Sequence, residues 1–519
     1  MINKSSKLIL ATILAAFFFR GLFLIAVFPI FKGQDESRHY NTIQYLATKK
    51  SKDCLMYESE SKQIKRDLST YRYSDEIRET ALVSQTQQIR GKAYDKIKFT
   101  KGADGLGERD FKKTKPSKTQ HICPPDVANN ALLKDDFSIY HKSLVGTEIL
   151  FKNNNIFIRY YVLRIISVLL GAVMLFLAYN IFRAVNLSNK QSLILTTIIS
   201  FQPKLSIYFT NINYDALLIP LWTASILLGV LILKKGWNFW RTATFFIVLW
   251  LAVLTKPSAL AMLGMVIYLL VYKIYQEMKE RNKNGKIKIW QILLVTGIIF
   301  FGGFLMYPSL EKIGIFNLTM DKYTQSIGEY INKSFSKIYG SSRDYWGGLG
   351  WKANNLTIWY IRIIWLTEYV TWGGLVFWQI ARVKKIKQLL NKAISHFGIN
   401  KEKIIFGKQY RKFFKEHAKY FYFSLVAIIS LQMGIHIADW KMFVETGSLS
   451  LGTPGRYWLP NIVPHFVLLA FGLKIVAHLF RSTKIKRKYF DLSLLAFMIL
   501  MILYWSYEVF DIIIPRFYL

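Results

Sequence analysis

Cysteine is almost absent from this chain, and acidic residues are scarce. Two cysteines, Cys54 and Cys123, occur in 519 residues, and 32 Asp and Glu stand against 69 Lys and Arg for a formal charge of +37. No Walker loop, Rossmann glycine fingerprint, nucleophile elbow or zincin helix is present, so ATP-driven transport has no visible engine. No internal repeat of the kind common in secondary transporters is found. A basic excess of this size on a soluble domain suggests nucleic acid. Much of it here lies in short loops between apolar segments, where the preference for positive charge on the cytoplasmic side explains it, and no nucleic-acid partner is expected.

What the chain has in abundance is apolar length. It is 52% hydrophobic and 16% aromatic, with repeated apolar stretches of about 18 residues or more, the length that crosses a bilayer. The fold class read from this is an all-α polytopic membrane protein. Spans fall at 8–31, 160–182, 191–210, 215–233, 239–254, 257–275, 289–307, 356–380, 419–437, 459–480 and 490–510, eleven helices in all. The first follows Lys4 and Lys7 and lacks a small-residue cleavage site, which favours a retained anchor over a signal peptide. The run from Trp237 to Tyr275 is too long for one crossing and is divided at Leu254-Thr-Lys-Pro-Ser258.

With that division, the basic loops 183–190, 234–241, 279–288, 382–419 and 481–488 and the N-terminus all lie in the cytoplasm. The expected organisation is a first transmembrane helix (1–31), an extracytoplasmic loop with juxtamembrane amphipathic helices (32–155), a transmembrane module (156–307), a second extracytoplasmic loop with an aromatic-glycine motif (308–355), and C-terminal transmembrane helices (356–519) enclosing a basic cytoplasmic loop at 381–419. Both cysteines lie in the first loop. A bridge between them would close about 70 residues and contribute ~4 kcal/mol in the chain-entropy model, against the alternative of two free thiols.

Polar residues beside hydrocarbon mark sites. The same end of the bundle receives Asp35, Glu36, His39, Asp215, Lys256, Trp346 and Arg456. Asp35 and His39 are four apart on one helix face, which suits a shared proton or a metal with Glu36; alternatively Asp35 caps the helix and Glu36 complements its dipole. Asp215 in Asn213-Tyr-Asp is a natural N-cap or a second acid. Lys256, in a tight turn, is a snorkelling lysine or a phosphate ligand. Asp344-Tyr-Trp-Gly-Gly-Leu-Gly-Trp351 joins glycines to aromatics that stack on a sugar or sit in the interfacial belt. Arg456, from a Pro-Gly turn at the start of a span, clamps a phosphate or anchors to lipid head groups.

In order, Asp35-Glu36-x-x-His39, Asn213-x-Asp215, Leu254-Thr-Lys256-Pro257, Tyr345-Trp346-Gly-x-x-Gly-Trp351 and Gly455-Arg456-Tyr457-x-x-Pro460 resemble the bacterial membrane proteins of the domain of unknown function 2142 family, within the GT-C class of integral-membrane glycosyltransferases. Ser37 stands where that family usually has proline, and Tyr345 where it usually has phenylalanine. The resemblance implies a GT-C fold in the bacterial cytoplasmic membrane, with an extracytoplasmic site. A polyprenyl-phosphate sugar is the implied donor, and a cell-envelope glycan or lipid the acceptor. It assigns Asp35 and Glu36 as catalytic, and His39, Asn213, Asp215, Lys256, Tyr345, Trp346, Trp351, Arg456 and Tyr457 as substrate-binding. Asp35, Glu36 and His39 are the candidate ligands of a divalent cation, magnesium or manganese. A lipid-linked glycan flippase and a non-catalytic assembly protein are the competing readings.

Overall fold

The structure is a computed structural model. It describes residues 4–33, 35–48, 54–56, 74, 76–77, 80, 121–123, 138–281, 326–347, 358–380, 408–446, 455–478 and 483–515. The helices are α1 (Lys4–Val27), α2 (Glu36–Thr48), α3 (Ile139–Leu150), α4 (Ile156–Ala184), α5 (Asn189–Ser200), α6 (Pro203–Tyr208), α7 (Asp215–Lys235), α8 (Phe239–Thr255), α9 (Leu263–Arg281), α10 (Ile327–Gly347), α11 (Ile358–Ile380), α12 (Lys408–Thr446), α13 (Ile462–His478) and α14 (Thr483–Tyr507). Two 3₁₀ segments, Pro257–Met262 and Gly455–Asn461, lead into α9 and α13, and α14 runs on as a π-helical turn over Glu508–Ile513. By length and apolarity seven of these segments can cross a membrane, and the 17-residue α8 is a shorter apolar helix. Of the eleven expected spans, 289–307 lies outside the described residues.

One expected span is wrong in form. The stretch 191–210 is not a single helix but α5 and α6, separated at Phe201-Gln202. Pro203 is the cause: it donates no hydrogen bond and biases the residue before it towards extended backbone, and Gln202 has ψ 116. The Gln202 side chain accepts from the freed Leu205 N–H, while Arg20 of α1 donates to the Ser200 carbonyl and lies 3.9 Å from the Phe201 ring centroid. A polar break inside an apolar bundle is tolerated where neighbouring helices satisfy its backbone in this way.

Helices pack closely where side chains are small. At the crossing of α11 and α13, Gly374 and Gly472 let the backbones meet: a Cβ on Gly472 would lie 2.4 Å from the Thr371 carbonyl oxygen. Such small-residue contacts replace the hydrophobic drive that lipid does not supply between helices. Outward-facing Phe19, Trp250 and Leu366 form part of the apolar exterior.

The described parts of the first loop fold back on the bundle. Buried α2 packs against one face of α3, whose opposite face is exposed, and both lie on the start of α4, where a polar lock holds them. Arg159 of α4 bridges Glu76 and Glu148, Tyr40 donates to Glu148 at 3.3 Å, and Gln44 donates to Glu76 at 2.8 Å. Each buried charge is thereby paired, as burial demands. The strands β1 (Cys54–Met56) and β2 (His121–Cys123) pair in parallel, with Cys54 opposite His121 and Met56 opposite Cys123. The cysteine side chains, and with them the expected bridge, lie outside the described residues. Within the second loop, α10 is an amphipathic helix that the sequence reading did not delimit. It turns Ile327, Ile331, Phe335 and Ile338 outward and buries Tyr345 and Trp346.

Candidate functional site

The end of α1, the start of α2 and the start of α7 meet around one buried ion pair. Glu36 and Arg164 both have fully buried side chains, with Arg164 Nε and Nη2 each 2.8 Å from one Glu36 oxygen. The same two oxygens accept the N–H groups of Gly33 and Ile212, at 3.0 Å each. Arg164 also donates to the Phe28 and Pro29 carbonyls at 2.7 and 3.0 Å. Its Nη1 also reaches the Ile25 carbonyl in the last turn of α1, at 3.3 Å, so one bidentate pair caps α1 and fixes the path into α2.

That saturation changes the expected role of Glu36. A carboxylate has about four acceptor positions, and Glu36 uses all of them on Arg164, Gly33 and Ile212. It has no position left for a proton in flight or a cation. Asp35, Glu36 and His39 therefore do not fit a shared metal, and no group of three candidate ligands suits one among the described residues. In this geometry Glu36 orients Arg164 and the chain entering α2.

Asp35, immediately before it, behaves differently. It is half-buried and held at φ 54, a left-handed conformation that Asp and Asn tolerate better than other side-chain-bearing residues. Its carboxylate is close enough to Arg456 to act on that charge. His39, one helical turn on, places Nδ1 2.9 Å from His141 Nε2 and its ring 4.6 Å from that of Tyr214. Burial, then the charges of His141, Arg38, Lys256 and Arg456, hold His39 well below the usual imidazole range, so it is neutral.

Lys256 and Arg456 face this group. The Lys256 ammonium is 2.9 and 3.2 Å from the two Asp215 oxygens and lies 4.5 Å from the Tyr214 ring centre and 4.9 Å from that of Tyr457. Burial alone would lower its affinity for the proton; Asp215, Tyr214 and Tyr457 outweigh burial and raise it, keeping the charge. The Arg456 guanidinium lies 4.9 Å from the Tyr457 ring centre and donates to the Tyr457 hydroxyl at 3.1 Å. Two cations on one aromatic ring, with acids on both sides, form a charged rim suited to a phosphate.

The Arg456 turn is docked by a close backbone approach. A Cβ on Gly455 would lie 1.9 Å from the Ser341 carbonyl oxygen and 2.3 Å from the Tyr345 nitrogen. The Arg456 N–H donates to Asp344 Oδ2 at 3.2 Å, and Asp344 Oδ1 pairs with the buried Lys204 at 2.7 Å. Gly455→Ala is expected to push α10 away and to cost about 1–3 kcal/mol, as overpacking does. Thermal unfolding of the purified variant, with Gly340→Ala as the open-space control, checks this.

The remaining sequence-derived candidates divide. Asn213 turns inward, accepting from the Ala216 N–H at 3.2 Å and donating to the Tyr208 carbonyl at 3.1 Å. It ties down the start of α7, while Asp215, free of that duty, pairs with Lys256. Tyr345 and Trp346 point to the other side of the Gly455–Asn461 segment, where the Tyr345 hydroxyl meets His465 Nδ1 at 3.0 Å and Trp346 Nε1 donates to Glu368 at 3.2 Å. Trp351 lies outside the described residues. Sequence reasoning missed Arg164, His141 and Lys204. Arg164 carried a signal, a cation within an apolar span; His141 carried none, being one histidine in a polar loop.

Residues 140–306 match the family dolichyl-phosphate-mannose-protein mannosyltransferase, a region that includes His141, Arg164 and the Asp215–Lys256 pair. No curated protein and no solved structure is significantly similar to the chain. The match covers about a third of the chain and supports its assignment to the GT-C class of integral-membrane glycosyltransferases.

Proposed function

We propose that the protein is a glycosyltransferase of the bacterial cytoplasmic membrane, akin to the domain of unknown function 2142 family. It moves a sugar from a polyprenyl-phosphate donor to a cell-envelope glycan or lipid on the extracytoplasmic face. The observation that carries this reading is the convergence of Asp35 with Lys256 and Arg456, from three distant parts of the chain, at one end of the bundle. The acceptor hydroxyl loses its proton to Asp35 while its oxygen forms the new bond to the anomeric carbon. The departing lipid phosphate takes the bonding electrons, and Lys256 and Arg456 offset the charge it gains. The His39–His141 pair, with Nδ1 and Nε2 2.9 Å apart, provides an onward hydrogen-bond route for that proton. A lipid-linked donor also accounts for a chain with no nucleotide-binding motif.

The phosphate role is tested at Arg456. Arg456→Lys keeps the charge and loses the planar two-pronged donor; Arg456→Ala loses both. Charge-assisted hydrogen bonds of about 1.5–3 kcal/mol predict a loss on the order of tenfold to a few hundredfold per bond. Partial activity is therefore expected in the lysine variant and very little in the alanine variant, measured as turnover against donor concentration. Equal activity of lysine and arginine would mark a lipid-head-group anchor instead.

A further inference from the structure

The structure holds a second polar feature, across the Gly455–Asn461 segment from Arg456. A cavity of about 200 Å³ lies between α10, α11, α12 and the start of α13. Tyr345, Trp346, Trp372 and Trp458 supply aromatic walls, and Glu368, Gln432 and His465 supply polar groups. Glu368 sits at the middle of the 23-residue α11, with its side chain largely buried. One of its oxygens, Oε1, is held by His465 Nε2 and by Trp346 Nε1, each at 3.2 Å. Among the described residues, its other oxygen and the Gln432 amide meet no hydrogen-bond partner, and the buried Trp458 indole N–H has none either. A cavity with aromatic walls and unused donors and acceptors has the chemistry that suits a hydroxylated ring: C–H faces pack on indole, and hydroxyls bond carboxylate and amide.

We infer that this cavity binds a pyranose ring, the glycosyl unit of the lipid-linked substrate. The inference rests on the glycosyltransferase reading and names the subsite that reading lacks. Two chain connections place it next to the phosphate rim. Asp344 anchors the Arg456 turn while Tyr345, the next residue, lines the cavity; Tyr457 faces Lys256 while Trp458, the next, lines the cavity. Its volume is below the roughly 300–1,000 Å³ of a drug-sized pocket, and suits one ring rather than an oligosaccharide. Gln432, Glu368, Trp372 and His465 then determine which sugar is accepted, whereas Lys256 and Arg456 meet a phosphate common to every donor of the class.

The test uses the full-length protein in a zwitterionic detergent, since alkyl-glycoside detergents would compete. Saturation-transfer NMR is recorded with methyl glucoside, galactoside, mannoside, rhamnoside and N-acetylglucosaminide, with sorbitol as an acyclic comparator and tetramethylammonium as a cation competitor. At least one pyranoside is expected to bind in the range of about 1–10 mM, with saturation strongest on one face of its ring protons and no displacement by tetramethylammonium. Gln432→Leu and Trp372→Leu should each weaken it on the order of tenfold while leaving thermal unfolding close to wild type. Absence of binding by all five glycosides, binding equal to that of sorbitol, or binding unchanged in both folded variants would overturn the inference, and so would displacement by tetramethylammonium, which would identify an aromatic cage for cations. A polyprenyl phosphate carrying no sugar separates this result from the wider reading. If it still binds in an Arg456-dependent manner while the glycosides fail, only the sugar subsite falls; if both fail, the glycosyltransferase reading falls with it.

Discussion

Asp35→Asn is expected to lower sugar transfer by about 10²–10⁴-fold, the range for loss of a general base, while the protein remains folded. Asparagine is the informative substitution because Asp35 sits at φ 54, which asparagine tolerates and alanine does not. An alanine variant would mix backbone strain of roughly 1–2 kcal/mol with the loss of chemistry. In cells that depend on the protein, lipid and glycan mass spectrometry should show a polyprenyl-phosphate sugar accumulating and a glycan lacking one residue. The same measurement names the donor and the acceptor. A stable Asp35→Asn protein with wild-type transfer would remove Asp35 as the base, and a non-catalytic assembly role would then be favoured.

Glu36→Gln should do the reverse, and its effect on stability is the largest expected of any single change. It leaves the Arg164 guanidinium fully buried without its counter-charge, a situation that costs about 3–5 kcal/mol. The loss should appear as low yield and a shortened half-life on heating, because membrane proteins of this size commonly unfold irreversibly and are compared by rate. Replacing both partners, Glu36→Gln with Arg164→Met, removes the orphaned charge and should recover a substantial part of the loss, a coupling that a double-mutant cycle measures. If Glu36→Gln is instead as stable as wild type and inactive, the carboxylate acts in the reaction, and its hydrogen bonds to Gly33 and Ile212 do not exhaust it.

These two neighbours show where sequence reasoning reached and where it stopped. Asp35 and Glu36 are the same chemistry in adjacent positions, and no composition, spacing or hydropathy separates them. The difference comes from the backbone: Glu36 opens α2 and its carboxylate enters the bundle towards Arg164, whereas Asp35, at φ 54 just outside the helix, is turned onto a different path and stays half-buried. Asp215 was legible as either an N-cap or a second acid, and only the structure separates these: Asn213 restrains the helix start while Asp215 pairs with Lys256.

The helical membrane architecture was legible in the sequence because crossing hydrocarbon demands long apolar runs, which local composition reveals. The common level of Asp35, Asp215, Lys256 and Arg456 was also legible, since each stands at the end of such a run. The break at Pro203 was written in the sequence as well, but hydropathy averages over one proline, and its effect became visible only where Arg20 and Gln202 satisfy the opened backbone. Tertiary structure alone decided the partners: Arg164 for Glu36 across 128 positions, His141 for His39 across 102, and Lys204 for Asp344 across 140. Pairings at such separations are set by which helices pack together and by the requirement that every buried charge find its complement, and neither is a property of any local stretch of chain.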